Sequence, residues 1–597
     1  MGTMLQRASL TLDDFAGKEG CNELLCATRP DVIKQIHLEY LKAGADVVET
    51  NSFGSTPLVL AEYQIEDRAY ELSRLAAELA RRACDEVSTK EWPRFVAGAV
   101  GPTTKLVSLG HISFAELLGH FTTQIQGLID GGCDVIQIET GQDILGIKCA
   151  VLAAREAMAR TGREVPIIAQ VTMETTGTML VGTELSAALP TLEALEVDLV
   201  GLNCATGPDL MHEHVRFLGQ NATRFVSVLP NAGLPRNVGG VATYDLTPEA
   251  LADFQERFVR DYGVSLVGGC CGTTPEHIAA VARRLRGPEF VLGGSSRGKP
   301  PRPPKRPDFD KAPAQVSSIY QAVPLTQDPG PLIVGERSNA NGSKKFREML
   351  LQNDFEGMVE IGREQIAEGA HVIDVCVAYV GRDEVRDMTE VLRRYTTQIT
   401  LPLMIDTTQM DVLESALQQL GGRAIINSVN LEDGEEKADR ICQLARQYGA
   451  ALVALTIDED GMAKTAARKV AVAKRLYDIA CGRWGLPPSA LLFDPLTFTI
   501  GSGDEDSRDA GLQTLLGIRG IKDTLPGVST LLGLSNISFG LKPFARQVLN
   551  SVFLSEAMLH GLDAAIVSPA KIVPLAKLSP DEVQIARDLI YRSEEHT

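Results

Sequence analysis

Several kinds of segment are missing from this sequence. No uninterrupted apolar run reaches the roughly 18 residues that a membrane helix needs, so no membrane span is expected. The opening residues, MGTMLQRASLTLDDF, lack the basic-then-apolar layout of a secretory signal. No basic block is long enough to track phosphates, and the net charge is −19. Nucleic acid is therefore disfavoured as a partner, because such binding rests on clustered Lys and Arg. Cysteine is too sparse and too scattered for a disulfide framework: the eleven residues are an odd number in a chain without a signal. They are expected to be free thiols or metal ligands in a reducing compartment, and the chain reads as cytoplasmic.

What is present is ample. At 597 residues, with 44% hydrophobic and 23% charged residues, the chain exceeds what one core supports, so two or more domains are expected. One segment breaks the pattern: GKPPRPPKRPDFDKAPAQ, at 298–315, is Pro-rich and basic and cannot form a packed element. It divides the chain into halves close to the roughly 250 residues of a (β/α)8 barrel. Both halves alternate short apolar β-rich runs with amphipathic stretches, the rhythm of a parallel sheet. The first half offers seven strand candidates, from ADVVET (45–50) to VSLVGGCCG (264–272). The second offers eight, from LIVGERSN (332–339) to DAAIVSPA (563–570). The expected fold is α/β, two (β/α)8 TIM barrels in tandem: a barrel over 1–290, a Pro-rich linker over 291–328 and a second barrel over 329–597. The runs begin apolar and end in Glu, Asp, Asn, Thr or Cys. The C-terminal ends of parallel barrel strands converge on the face where barrel enzymes place their chemistry, so two barrels with two sites are expected.

Cys204 ends one strand in GLNCATGP, and Cys270 and Cys271 end another in GGCCGTTPEHI. Three thiolates can hold Zn²⁺ and leave a fourth position open, as catalytic zinc sites do. A thiol bound there would be held as a thiolate nucleophile near neutral pH. Asn231, in LPNAGLP on the intervening strand, is a candidate labile fourth ligand. These motifs resemble the zinc-dependent homocysteine S-methyltransferase family over residues 1 to about 290. The resemblance implies homocysteine as the thiol and Cys204, Cys270 and Cys271 as catalytic metal ligands. Glu49, Thr50 and Asn51 in ETNSFGST, and Glu139 in IET, match positions where family acids help hold the substrate amino group. Family members begin with a strand leading into Asp-Gly-Ala-Met-Gly-Thr, whereas this chain opens at Met1-Gly2-Thr3. The first strand and its aspartate are absent from this sequence; a barrel missing one strand would expose an unpaired edge, so either the sequence is trimmed or something else fills the gap.

The second half has no such cysteine cluster. Its strand ends carry Glu336, Asp374, Asp406, Asn427, Asp458, Asp494 and Asn536. Carboxylates and amides grouped in a pocket suit a ligand rich in N–H donors, since a carboxylate accepts two parallel bonds. A pterin ring is such a ligand; a divalent metal competes as an explanation for several acids. VGERSNANGSKKF, MIDTT, INSVN, FDPLTF and LSNISF resemble the pterin-binding family of methyltetrahydrofolate methyltransferases and dihydropteroate synthases. The resemblance implies folate contacts at Glu336, Asn339, Asp374, Asp406, Asn427, Asp458, Asp494 and Arg546. It places Asn536 near the pterin N5, where the methyl group leaves. Leu496 of FDPLTF stands where some relatives carry Asn.

The order of the halves resembles the N-terminal part of the cobalamin-dependent methionine synthase family. That resemblance implies methyl transfer from 5-methyltetrahydrofolate to homocysteine by way of cobalamin. None of the nine histidines lies in an Asp-x-His-x-x-Gly cobalamin motif, so the cobalamin-binding domain or corrinoid protein is expected to be supplied from outside this chain. Two alternatives remain: a homocysteine methyltransferase fused to a folate reductase, and a non-catalytic platform for folate or a corrinoid protein.

Overall fold

The structure, a computed structural model, describes all residues except 239–240, 288–289, 293, 295–313, 501–507 and 593–597. The chain forms two compact units, Met1–Ala312 and Pro313–Thr597. The Pro-rich run at 298–315 lies outside the described residues except for its last two.

The first unit is built on seven parallel strands in chain order: β1 (Val47–Glu49), β2 (Phe95–Val100), β3 (Val135–Gly141), β4 (Ile167–Val171), β5 (Leu199–Asn203), β6 (Phe225–Leu229) and β7 (Leu266–Val267). Every strand candidate of this half is present. Helices cover the sheet because each has one apolar stripe. In α1 (Ala69–Val87), Leu72, Ala76, Ala80 and Cys84 recur every fourth residue and are buried. In α2 (Phe114–Asp130) the Ser113 hydroxyl caps the first turn by accepting from the Glu116 N–H at 3.2 Å.

The sheet does not close into an eight-stranded ring. Among the described residues β1 and β7 are its two edges, with no strand pairing between them. The flanking segments nevertheless touch. Tyr40, in the helix before β1, donates its hydroxyl to the Thr273 carbonyl after β7 at 2.7 Å. Gly44 lies so close to Ala282 of α3 (Pro275–Arg286) that an added Cβ would stand 2.9 Å from it. Side chains and helices therefore bridge the curl where backbone hydrogen bonds are missing.

The second unit opens with an antiparallel hairpin, β8 (Gln315–Ser317) and β9 (Ala322–Pro324). Eight parallel strands follow and close a barrel: β10 (Leu332–Asn339), β11 (Val372–Cys376), β12 (Leu403–Asp406), β13 (Ile425–Val429), β14 (Ala451–Leu455), β15 (Leu491–Asp494), β16 (Ser529–Gly533) and β17 (Ala564–Ile566). Closure is made by β10 with β17, Leu332 opposite Ala564 and Val334 opposite Ile566. Every strand supplies the barrel's interior, through Leu332, Val334, Val372, Met404, Ile425, Ala451, Val453, Leu492, Leu531 and Ala564.

The hairpin lies within the span 291–328 that the sequence suggested as linker. Its Val316 and Val323, with the following Leu325, join that same interior cluster. The Ser317 N–H donates to the Arg423 carbonyl at 3.0 Å, just before β13 begins, so the hairpin plugs the barrel at the N-terminal ends of its strands. Three apolar side chains are enough to fix the segment, because the floor of the barrel otherwise faces water.

The packing generates a test. Leu325 is fully buried, so Leu325→Ala should lower the stability of the second unit by about 2–5 kcal/mol. Urea unfolding followed by the fluorescence of Trp484, the tryptophan of that unit, checks this; a loss below about 0.5 kcal/mol, typical of a surface change, contradicts the plug.

Candidate functional site

In the first unit the strand ends gather sulfur and carboxylate. Cys204 follows β5 directly, and Cys270 and Cys271 follow β7 after Gly268 and Gly269. The Cys204 Sγ lies 3.8 Å from that of Cys271, and the Cys270 Sγ lies 4.0 Å from it. All three sulfurs fall within 4.8 Å of one another, and each residue is partly exposed.

The backbone is bent to bring them together. Cys204 and Ala205 sit at φ 61° and 54°, the left-handed region that costs a non-glycine residue about 1–2 kcal/mol. The turn is tied by Cys204 N–H to the Leu229 carbonyl (3.2 Å) and Thr206 N–H to the Cys204 carbonyl (2.7 Å). At Gly269 a Cβ would stand 2.2 Å from the Thr273 hydroxyl, so only glycine permits this approach. Asn231 braces the same turn: its Oδ1 accepts the Cys271 N–H at 3.1 Å.

Without a cation the three sulfurs share protons unequally. Hydrogen bonds from Cys204 and Cys270 hold the Cys271 thiol down to about 3. Hydrogen bonds to Cys204 and Cys271 raise Cys270 well above the ordinary thiol range. Tyr244 also faces Cys271 and favours its thiolate. Its side chain lies against Gly272, where a Cβ would come within 2.3 Å of it.

Beside this trio stand two carboxylates, Glu139, which is buried, and Glu49, which is half-buried. Burial raises each, and each feels the Cys271 sulfur; Glu139 is raised further by the charge of Glu49. Glu49 accepts from the Gln137 amide, and Glu139 accepts from Asn203 Nδ2 at 3.3 Å. Two neighbouring carboxylates are costly alone and suited to an ammonium group. Thr50 and Asn51 are placed differently. The Thr50 hydroxyl accepts from the Ala99 N–H at 2.9 Å, and Asn51 donates to the Asn22 carbonyl at 2.7 Å. Both side chains hold the loop after β1.

Gln137, Asn203 and Tyr244 were not expected from the sequence. Gln137 was within reach, since it precedes Glu139 by two residues and so shares its face of β3. Tyr244 lies in irregular chain and carried no signal.

In the second unit the carboxylates and amides form a connected cluster. Asn339 Nδ2 donates to Asp374 and to Asp406, both at 2.9 Å, and Asn427 donates to Asp374 at 3.3 Å. Asp494, at the end of β15, accepts from the Leu496 N–H at 2.7 Å and the Gly533 N–H at 3.2 Å. Burial raises Asp374 to about 7, helped by the charge of Asp406, and raises Asp494 to about 6. Glu336 accepts from the Ser535 hydroxyl at 3.1 Å and pairs with Lys571 at 3.4 Å. Asn536 lies one residue beyond Ser535, exposed, and its side chain makes no hydrogen bond to the described residues. Beyond α4 (Ala466–Tyr477) and α5 (Ala510–Thr524), Arg546 of α6 (Pro543–Leu559) holds this turn through Ser538 Oγ at 3.2 Å. Asp458 is engaged elsewhere: it is ion-paired to Arg468, which lowers it, in a two-stranded hairpin beyond β14.

Asp374 yields a pH test. Its folded pKa lies above the roughly 3.9 of an unfolded chain, so its contribution to stability is full below that value and lost as pH rises through about 7. The unfolding free energy of Asp374→Asn minus that of the parent should rise between about pH 4 and pH 7 and then level. Urea titrations across that range check this, and a flat difference would show a freely ionised carboxylate.

Comparison with known proteins matches residues 1–285 to the homocysteine S-methyltransferase family model and residues 335–568 to that of pterin binding enzymes. The methionine synthase of Mycobacterium tuberculosis is 49% identical over 99% of this chain and 49% of its own length. That of Mycobacterium leprae is 48% identical over 99% of this chain and 48% of its own length. The chain therefore spans about half the length of these curated relatives. Among solved structures, the metallated form of the Escherichia coli homocysteine methyltransferase MmuM aligns with a TM-score of 0.39 at 24% identity, covering 48% of this chain and 93% of that one.

Proposed function

We propose, for a chain whose two halves belong to the homocysteine S-methyltransferase and pterin-binding families, that it serves the transfer of a methyl group from 5-methyltetrahydrofolate to homocysteine. The products are methionine and tetrahydrofolate. The homocysteine module lies within residues 1–290. The methylfolate module starts with the β8–β9 hairpin and runs through the closed barrel. The methyl carrier is a cobalamin held by a domain or corrinoid protein outside this chain.

The observation that carries the reading is the cysteine trio. Zn–S bonds of about 2.3 Å set tetrahedral sulfurs about 3.8 Å apart, and the separations of 3.8 and 4.0 Å at Cys271 fit that spacing. Cys204, Cys270 and Cys271 would hold zinc, with a fourth position left for the substrate sulfur. Asn231, which follows β6 and whose oxygen braces the Cys271 amide, is the candidate to fill that position between substrates. A zinc ion held there would lower the pKa of a coordinated thiol and so present homocysteine as a nucleophile.

The chain's own groups supply the rest. Glu49 and Glu139 receive the substrate ammonium, which offsets the repulsion between them, and Gln137 and Asn203 orient the two carboxylates. Thr50 and Asn51 support this end of the site by fixing the loop that carries Glu49. In the second barrel Asp374, Asp406, Asn427 and Asp494 accept and donate along the edge of the pterin, with Asn339 orienting the first two. Glu336 and Arg546 set the turn that presents Asn536, the free amide that hydrogen-bonds N5. Asp458, held by its ion pair with Arg468 in the hairpin beyond β14, is the weakest of the folate candidates. A reducing compartment such as the cytoplasm would keep the three metal-binding cysteines available as thiolates.

Metal analysis should give one zinc per chain. Cys204→Ser should lose most of it while methylfolate affinity stays unchanged; full zinc in a Cys270→Ser, Cys271→Ser double variant contradicts the ligand set.

The carrier is tested separately. Incubated with 5-methyltetrahydrofolate and homocysteine alone, the chain should form no methionine. Free reduced cobalamin should become methylated at the second barrel, followed by absorbance, and zinc-stripped protein should retain that half-reaction. Methionine formed at a comparable rate without any corrinoid overturns the assignment.

A further inference from the structure

Lys469 is a fully buried lysine that the proposed chemistry does not use. Its position is unfavourable twice over. Removing an ammonium group from water carries a penalty of several kcal/mol, and Lys469 lies in the first turn of α4, where the helix dipole disfavours positive charge. Its surroundings show what offsets this. The ammonium has three N–H donors, and three backbone carbonyls accept them: Ala463 at 2.9 Å, Leu496 at 3.1 Å and Pro495. The Phe498 ring lies 5.1 Å from the charge. Gly517 of α5 leaves room for the stem, since a Cβ there would stand 2.7 Å from Lys469 Cδ.

Two of those carbonyls belong to the turn that follows Asp494. In it Leu496 adopts φ 62°, a conformation leucine does not favour. The Leu496 carbonyl also accepts from the Thr514 hydroxyl at 3.0 Å. The opposite side of the turn presents the Leu496 N–H to Asp494 Oδ1 at 2.7 Å. The ammonium thus holds one side of a turn whose other side holds the carboxylate. Burial pushes Asp494 up to about 6, and the two amides and the Lys469 charge pull it back.

We infer that Lys469 is a positioning residue for methylfolate recognition: it clamps the Pro495–Leu496 turn and so aims the Asp494 carboxylate at the pterin. This rests on the reading of Asp494 as a pterin contact, and the test separates the two.

The full chain is compared as parent, Lys469→Met, Asp494→Asn and the double variant, with the dissociation constant of 5-methyltetrahydrofolate measured by calorimetry on folded protein. Lys469→Met should weaken binding about tenfold or more, the scale of one charge-assisted hydrogen bond. The double variant should match Asp494→Asn within about twofold, since the lysine acts through the carboxylate. At saturating folate, methyl loss to free reduced cobalamin should stay within about twofold of the parent, a split that general loosening of the barrel would not give. Parent-like binding in Lys469→Met, or losses that multiply in the double variant, overturns the inference. Unchanged binding in Asp494→Asn overturns the pocket reading itself. If Lys469→Met does not fold, Gly517→Ala decides, because it displaces the stem and keeps the charge. It should weaken binding several-fold in the parent and not in the Asp494→Asn background; parent-like binding in both overturns the inference.

Discussion

Parallel pairing is the constraint on which the rest depends. Strands that run the same way end together, so whatever residue follows the last apolar position of each is delivered to a common face. Here that face receives three sulfurs and two acids in one unit, and acids and amides in the other. Groups so placed are poorly hydrated, and their protonation is set by one another: Cys271 is low because two thiols donate to it, and Asp374 is high because burial and Asp406 oppose its charge. The sites are defined as much by this mutual electrostatics as by any single side chain. The apolar ends of the same strands, packed on the β8–β9 hairpin in the second unit, provide the compensating burial.

Much of this was legible from the sequence where two periodicities agreed. The fifteen parallel strands fall inside runs that are apolar and bounded by turn residues, and Cys204, Cys270 and Cys271 stand beyond two of their ends. The hairpin at 315–324 was illegible because each of its strands is only three residues long, too short to show a period. Lys469 was illegible for the opposite reason. A lysine in an amphipathic helix reads as solvated, and only the close approach of Gly517 and the carbonyls of another segment show that it points inward. Motifs locate a residue but not its rotamer. ETNSFGST placed Glu49, Thr50 and Asn51 at one strand end, and the fold turns the last two side chains into the loop.

Both sites share a local device. Cys204, Ala205 and Leu496 are non-glycine residues in the left-handed region, each directly beyond a strand that ends at the site. Such conformations persist only where surrounding bonds over-determine them. Those bonds are present in each case: Leu229 and Thr206 around Cys204, and Lys469 and Thr514 on Leu496. A reversed turn at the strand end redirects the chain sharply enough for neighbouring side chains to face one point.

The pairing of Leu332 with Ala564 has a kinetic meaning as well. The first and last strands of the second barrel meet only after almost the entire unit has been synthesised, so the ring cannot close early. Until then β10 and β17 are both open edges, and bringing such distant segments together carries the loop-closure entropy that slows folds of high contact order. During that interval the nascent chain exposes the kind of unpaired strand that invites aggregation. The hairpin, made first and docked against β13, gives the forming sheet an apolar surface to curl around before its last strand arrives.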